Sequence, residues 1–295
     1  MTAMVLLLAC EVPNDTAVTT RETADLVERT GPWVSVTSTL LGSCALREDG
    51  TAACWGDDNR GQLEVPAEAF RAISIGPRTA CGVLVDGSLT CWGDPIEGVP
   101  DGSFVDVQVS SLHACALDGQ GQAVCWGEPS RTEAPEVSFA QISTGWSAFT
   151  CGLDFDGGLH CWGDTGTDIA ATPDGTFVQV DVGQRHACAL DDGGVVSCWG
   201  EDGEGQLEVI EATWDHVTAG SYHSCGVVGG GALCWGAEGQ VNFGQVPASG
   251  EEFETLDAGG WHNCGVTPQG ELSCWGDDHA ARRALPSTEP VAPAS

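Results

Sequence analysis

Apolar and polar positions alternate along FVDVQV (residues 104–109) and FVQVDV (177–182), the period of a half-buried strand. After the second of these comes a short polar link, then HACAL, a break rich in Asp and Gly, and VVSCWG. Two short runs separated by such a break predict a β-hairpin. The unit is therefore a strand followed by a hairpin. A fourth short strand is expected in the variable segment after Cys-Trp-Gly, for example GQLE at 61–64 and 205–208.

The unit recurs seven times. Trp55, Trp92, Trp126, Trp162, Trp199, Trp235 and Trp275 each stand in a Cys-Trp-Gly triplet, and an aromatic residue (Trp33, Phe70, Phe104, Phe139, Phe177, Trp214 or Phe253) opens each repeat. The array runs over residues 33–286 with a period of about 36 residues, a size that marks solenoids, propellers or arrays. Strand-rich units with no polar capping repeat are best satisfied by closing on themselves. The expected fold is all-β, a seven-bladed β-propeller, with residues 11–32 and 277–295 as the two candidates for the segment that closes the ring.

Fourteen of the fifteen cysteines fall in pairs: Cys44 with Cys54, Cys81 with Cys91, Cys115 with Cys125, Cys151 with Cys161, Cys188 with Cys198, Cys225 with Cys234 and Cys264 with Cys274. Pairing each couple across its hairpin leaves a three-residue loop ending in Gly50, Gly87, Gly121, Gly157, Gly194 or Gly270, where three-residue hairpin loops need positive φ. The sixth repeat is one residue shorter, and there the same register leaves Gly229-Gly230, a two-residue type I′ turn. Pair types alternate along a ladder, so each cysteine couple falls at a non-hydrogen-bonded position, with Cα atoms expected about 4.5 Å apart. Seven cross-strand disulfides are expected. Zinc is the weaker reading, because structural sites space cysteines two to four apart and no such pair exists here.

The pattern aromatic…G-x-x-H-x-C-A-L-x-x-x-G-x-x-x-C-W-G…G-Q-L, strongest around 44–63 and 188–207, resembles the regulator-of-chromosome-condensation repeat family. After Trp275 the chain reads DDHAARRAL, without the Gly-Gln-Leu. The resemblance implies a seven-bladed propeller. The family's eukaryotic namesake exchanges nucleotide on a small GTPase and binds chromatin. A secreted bacterial branch inhibits β-lactamases with loops on one face, and many cysteine-rich bacterial relatives have no assigned activity.

Charge narrows these options. The chain has 43 acidic residues and ten basic ones, all arginine, for a net charge of −33. Nucleic-acid binding relies on Lys and Arg neutralising phosphates, so no nucleic-acid partner is expected. Paired cysteines favour an oxidising compartment. At the start, Leu7-Leu8-Ala9-Cys10 resembles a bacterial lipobox. Cys10 is then the acylated residue and the only membrane contact, residues 1–10 a truncated signal peptide, 11–32 an acidic tether and 287–295 a flexible tail.

Candidate chemistry is sparse. No Ser/His/Asp order, phosphate loop or dinucleotide fingerprint is present. Asp57-Asp58, Glu201-Asp202-Glu204 and Asp277-Asp278 invite a calcium reading but do not fit the twelve-residue calcium loop. His113, His186, His223 and His262 occupy equivalent positions, which spreads them around a ring and favours a structural role within each blade. No cofactor and no metal are expected. Six aromatic residues fall outside the repeated positions: Trp146, Phe149, Phe155, Tyr222, Phe243 and Trp261. Trp146, Tyr222 and Trp261 lie in the link between first strand and hairpin, where other repeats carry Arg78 or Arg185. Trp, Tyr and Arg are enriched in binding hot spots, so Arg78, Trp146, Arg185, Tyr222 and Trp261 are the candidate partner surface, the alternative being that the rings cover the ends of the core. The chain reads as an exported, lipid-anchored, monomeric propeller without enzymatic activity that binds a protein or ligand at the bacterial cell envelope. An enzyme inhibitor and an exchange-factor-like regulator of a GTPase are the alternatives.

Overall fold

A computed structural model describes residues 31–277 except 147–148, 165–168, 170, 239–240 and 247–249. Cys10, the acidic segment up to Thr30 and the chain from residue 278, including the expected end of the array at 286, lie outside the described residues.

The described chain forms seven three-stranded antiparallel sheets, each ordered first-second-third along the sequence. Blade 1 consists of Trp33–Ser38, Gly42–Arg47 and Ala52–Gly56. Blades 2 to 7 follow at 70–93, 104–127, 139–163, 179–200, 216–236 and 255–276. The first strands of all seven surround one central cavity of about 290 Å³, so they are innermost and the Cys-Trp-Gly strands are outermost. The fold is the expected seven-bladed propeller.

The hairpin loops follow the register read from the sequence. The six three-residue loops end in glycines with φ between 74° and 93°, and Gly229 and Gly230 take φ of 55° and 87°. Every cysteine couple is a cross-strand pair joined by a disulfide. Cys44 is bonded to Cys54, Cys81 to Cys91, Cys115 to Cys125, Cys151 to Cys161, Cys188 to Cys198, Cys225 to Cys234 and Cys264 to Cys274. Their Cα atoms are 4.0–4.1 Å apart, closer than the expected separation of about 4.5 Å at such a position. The covalent link draws the strands together there. The two ends of each bond differ in exposure. The first cysteine, on the middle strand, is fully buried in every blade. On the outer strand Cys54, Cys91, Cys125, Cys161 and Cys198 are half-buried, and only Cys234 and Cys274 are buried. A crosslink closing so short a loop is nominally worth about 2.5–3 kcal/mol.

The turn glycine also joins neighbouring blades. Its carbonyl, or that of Gly230 in blade 6, accepts the N–H of the next blade's opening aromatic residue: Phe70 from Gly50 at 2.8 Å, Phe139 from Gly121 at 2.7 Å, Phe253 from Gly230 at 2.8 Å. The seam between blades 7 and 1 uses the same bond, Trp33 N–H to Gly270 O at 3.0 Å. Among the described residues the ring closes without a strand contributed by either terminal segment.

No fourth strand forms among the described residues; the expectation for GQLE is overturned by a turn. Gln62 folds back on its own loop, accepting the Arg60 N–H and donating to the Asp57 carbonyl. Gln206 likewise accepts the Glu204 N–H. This leaves the glutamine carbonyls for the next blade's indole. Trp92 Nε1 donates to Gln62 O at 2.9 Å and Trp235 Nε1 to Gln206 O at 2.9 Å. A third copy, Gly244-Gln245-Val246, receives Trp275 Nε1 at 3.1 Å.

Candidate functional site

The inner strands leave edge N–H groups facing the channel, and each such group needs an acceptor. Side chains of the preceding blade supply several. Gln141 makes a two-point amide bond with the Val180 backbone, and Gln179 does the same with Val217. Asp181 accepts the Ala219 N–H, and Asp257 that of Ser38. The Thr218 hydroxyl lies 2.9 Å from Asp181 and 3.0 Å from Asp257. One hydroxyl hydrogen thus stands between two carboxylates. Burial, reinforced by the Asp181 charge, raises the Asp257 carboxyl well above the usual range. Gln141, Gln179, Asp181, Thr218 and Asp257 of the lining are thus occupied in joining blades, whereas Asp106 bonds Gln108 of its own strand.

The four histidines are structural and each bonds a side chain of the next blade, while His113 also keeps the expected bond within its own blade, Nδ1 to Ser110 Oγ at 2.7 Å. His186 Nε2 meets Ser224 Oγ at 2.8 Å, His223 Nε2 meets Asn263 Oδ1 at 2.7 Å, His262 Nε2 meets Ser43 Oγ at 2.9 Å and His113 Nε2 meets Thr150 Oγ1 at 2.8 Å. The Ser224 hydroxyl donates onward to Gln206 O and the Asn263 amide to Gln245 O. His186 and His223 must therefore donate from Nε2. Burial depresses all four, His186 and His262 to about 3 and His113 and His223 to about 4, so each is neutral at physiological pH. Where the histidine position holds Gly42, Thr79 or Phe149 instead, the facing residue in the next blade is Ala80, Ala114 or Ala187.

Among the described residues no group of three His, Cys, Asp or Glu is placed to hold a metal ion. Asp58 and Asp202 instead accept the N–H of Leu63 and Leu207 and shape the glutamine turns.

The links between first and second strands emerge together at one end of the ring. The residue before the histidine position forms an outer circle of Leu41, Arg78, Leu112, Arg185, Tyr222 and Trp261, and its carbonyl accepts the N–H of the residue after Trp-Gly: Asp57, Asp94, Glu128, Glu201, Ala237 and Asp277 respectively. Arg78 is exposed and bonds Asp94 through Nε at 2.8 Å; Arg185 is exposed and meets Glu201 at 3.2 Å. Trp146 does not belong to this circle. Its equivalent in blade 4 is Ala148, outside the described residues. Trp146 occupies the inner position, is 8% exposed, and crosses the channel mouth so that a Cβ on Gly260 of blade 7 would lie 3.1 Å from its Cη2. It covers the end of the channel.

Tyr222 and Trp261 do share the outer circle, in adjacent blades. Their rings stack at 6.2 Å and 25°. Phe243, 52% exposed, meets Trp261 edge-on at 6.2 Å and 81°. The sequence marks Phe243 only as an aromatic outside the repeated positions, one that precedes Gly-Gln as Arg60 and Glu204 do, and does not place it beside Trp261. Ala237, beneath Tyr222, is the one described non-glycine residue with positive φ, 52°. Of the other two unassigned aromatics, Phe149 is buried and Phe155 sits exposed on a hairpin loop.

Fold and surface define a disulfide-stapled propeller with a variable ring on one face. The sequence model of the regulator of chromosome condensation (RCC1) repeat matches residues 33–62 and 177–206. No curated protein matches the chain. Among solved structures, it is similar to the CRINKLY WD40 ectodomain of the Arabidopsis thaliana receptor kinase ACR4, at 25% identity and a TM-score of 0.69 over 84% of this chain and 96% of that one. The ectodomain of the Physcomitrella patens receptor kinase CR4 matches at 25% identity and 0.70, over 84% and 74%. Human WBSCR16 shares the fold at 12% identity and 0.60, over 78% and 85%.

Proposed function

We propose that this chain is an exported, lipid-anchored, monomeric binding module that captures a protein or ligand at the cell envelope through its outer circle and performs no chemistry itself. The outer circle carries the reading. One position varies through Leu, Arg, Tyr and Trp while the residues beside it keep the hydrogen bonds of the ring. Seven disulfides support an oxidising location, as does the likeness to propellers that are receptor ectodomains. Cys10 is the proposed site of acylation. Disulfides in all seven blades weigh against a cytosolic exchange factor.

The test is the intact mass of protein purified from its own membranes, followed by envelope capture with Tyr222 and Trp261 replaced by alanine. Seven disulfides with an acylated Cys10, and capture lost in the folded variant, are expected. Free thiols, or capture that survives the substitution, overturn the reading. A captured hydrolase that loses activity on binding makes the module an inhibitor.

A further inference from the structure

The inner edge of each first strand faces the central cavity, and its alternate peptide groups point away from the second strand. In blades 5 and 6 such groups are covered from the preceding blade. The Gln141 carboxamide accepts the Val180 N–H at 3.1 Å and donates to the Val180 carbonyl at 3.0 Å, and Gln179 repeats this on Val217 at 3.1 Å and 3.0 Å. The register of the sheets makes Ser35 and Thr255 the equivalents of Gln141, and Ile73 and Val36 the equivalents of Val180. Ser35 and Thr255 are too short for that reach. Val36 and Ile73 line the cavity, and among the described residues neither peptide edge meets a hydrogen-bond partner on its channel side. The Thr255 hydroxyl beside them is buried and unpaired as well. Backbone groups left so inside a protein call for a partner.

Chemistry selects the occupant. Each open edge offers one N–H and one C=O side by side, so its complement carries an acceptor and a donor on one planar group. A carboxylate has acceptors only, and it would enter a cavity lined by Asp106 and Asp181. A guanidinium has donors only. A primary carboxamide has both, and the chain itself uses that group twice for the same purpose, at Gln141 and Gln179. The cavity of about 290 Å³ lies at the lower end of pockets that hold small molecules, roughly 300–1,000 Å³. Trp146 covers the end beside the outer circle. The exposed Arg71 stands at the other end, where the first strands begin. We propose that the channel binds a primary carboxamide, carried by a free small molecule or by a Gln or Asn side chain, on the open peptide edges of Val36 and Ile73. The site is separate from the outer circle and goes beyond the reading of that face.

The experiment follows the backbone amide resonances of Val36 and Ile73 while the full chain is titrated with L-glutamine. L-methionine, of the same length without the amide, is the control, and a capped Gly-Gln-Gly peptide repeats the titration with the side chain held in a chain. Glutamine in one form or the other should shift at least one of the two resonances saturably, with methionine binding at least about five-fold more weakly. Ser35→Gln supplies the carboxamide from within, as Gln141 does, and should abolish the response at Ile73. Thr255→Gln should do the same at Val36, and serves alone should the first fail to fold. Saturation by the free amino acid alone identifies a small-molecule ligand, and saturation by the peptide identifies a side chain presented by a partner. A response to neither glutamine probe, equal binding of methionine, or a response that survives the substitutions overturns the proposal.

Discussion

His186 and Ser224 show what one pair between blades contributes. Ser224→Ala alone leaves the buried His186 Nε2 without its acceptor, and an orphaned buried donor costs about 1–3 kcal/mol. The double variant His186→Phe, Ser224→Ala copies the apolar pair already present at Phe149 and Ala187, and should recover most of that loss. A double-mutant cycle in urea measures the coupling. The same pair predicts a pH dependence. Depressed histidines are neutral when folded but protonate near 6.5 when unfolded, so their stabilisation is present above that pH and falls away as pH drops toward 4–3. Near pH 5 each contributes a slope of about 1.4 kcal/mol per pH unit. The double variant should flatten the slope by about one histidine's share. Asp257, raised by burial, works in the opposite sense: its contribution is present below about 3.8 and lost as pH rises. It is common to both proteins and cancels in the comparison.

At the scale of the element, the hairpins are legible in the sequence because length and turn chemistry constrain each other. The missing residue in CGVVGGGALC is matched by Gly229-Gly230, and only one register satisfies both. That register alone brings Cys225 opposite Cys234 as the longer loops bring Cys188 opposite Cys198. The prediction here is a contrast between two glycines of neighbouring loops. Gly157 has φ of 81°, and an added Cβ would meet Phe177 O at 2.8 Å. Gly157→Ala should therefore destabilise by more than about 1 kcal/mol. Gly119→Ala, with nothing within 4 Å and no positive φ, should be neutral or slightly stabilising. Thermal melts of the two variants decide. The Gly-Gln-Leu segments mislead because their composition suits a short strand. What decides their shape is a glutamine side chain bonding its own loop, and periodicity does not report that. The histidine partners are readable in principle: each His-x-Cys precedes a repeat with Ser, Thr or Asn before its first cysteine, and each exception precedes Ala. The rule appears only when neighbouring repeats are compared as contacting surfaces. Trp146 departs from the expected circle because its equivalence to Tyr222 and Trp261 depends on counting the link back from Phe149, which places Ala148, not Trp146, in the outer position.

For the whole molecule, charge sets the dominant environmental response. A net −33 on 30.5 kDa opposes compaction by self-repulsion. Among the described residues, ion pairs such as Arg78–Asp94 and Arg185–Glu201 offset it only locally. Raising NaCl from about 20 mM to about 0.5 M shortens the screening length several-fold. The melting temperature should rise, and a fall would mean that the ion pairs outweigh the repulsion.

The bond from Trp33 to Gly270 has a consequence for how such a chain could be written. Because the last seam is made as the other six are, and no described blade borrows a strand from another, no junction is privileged as the beginning. A permuted gene that starts at Phe70 and returns to Trp33 after Gly276, through a joint as long as Asp94–Ser103, should encode the same ring with the same seven cystines. Order along the polypeptide is then a matter of ancestry, and adjacency in space is what the residues themselves specify.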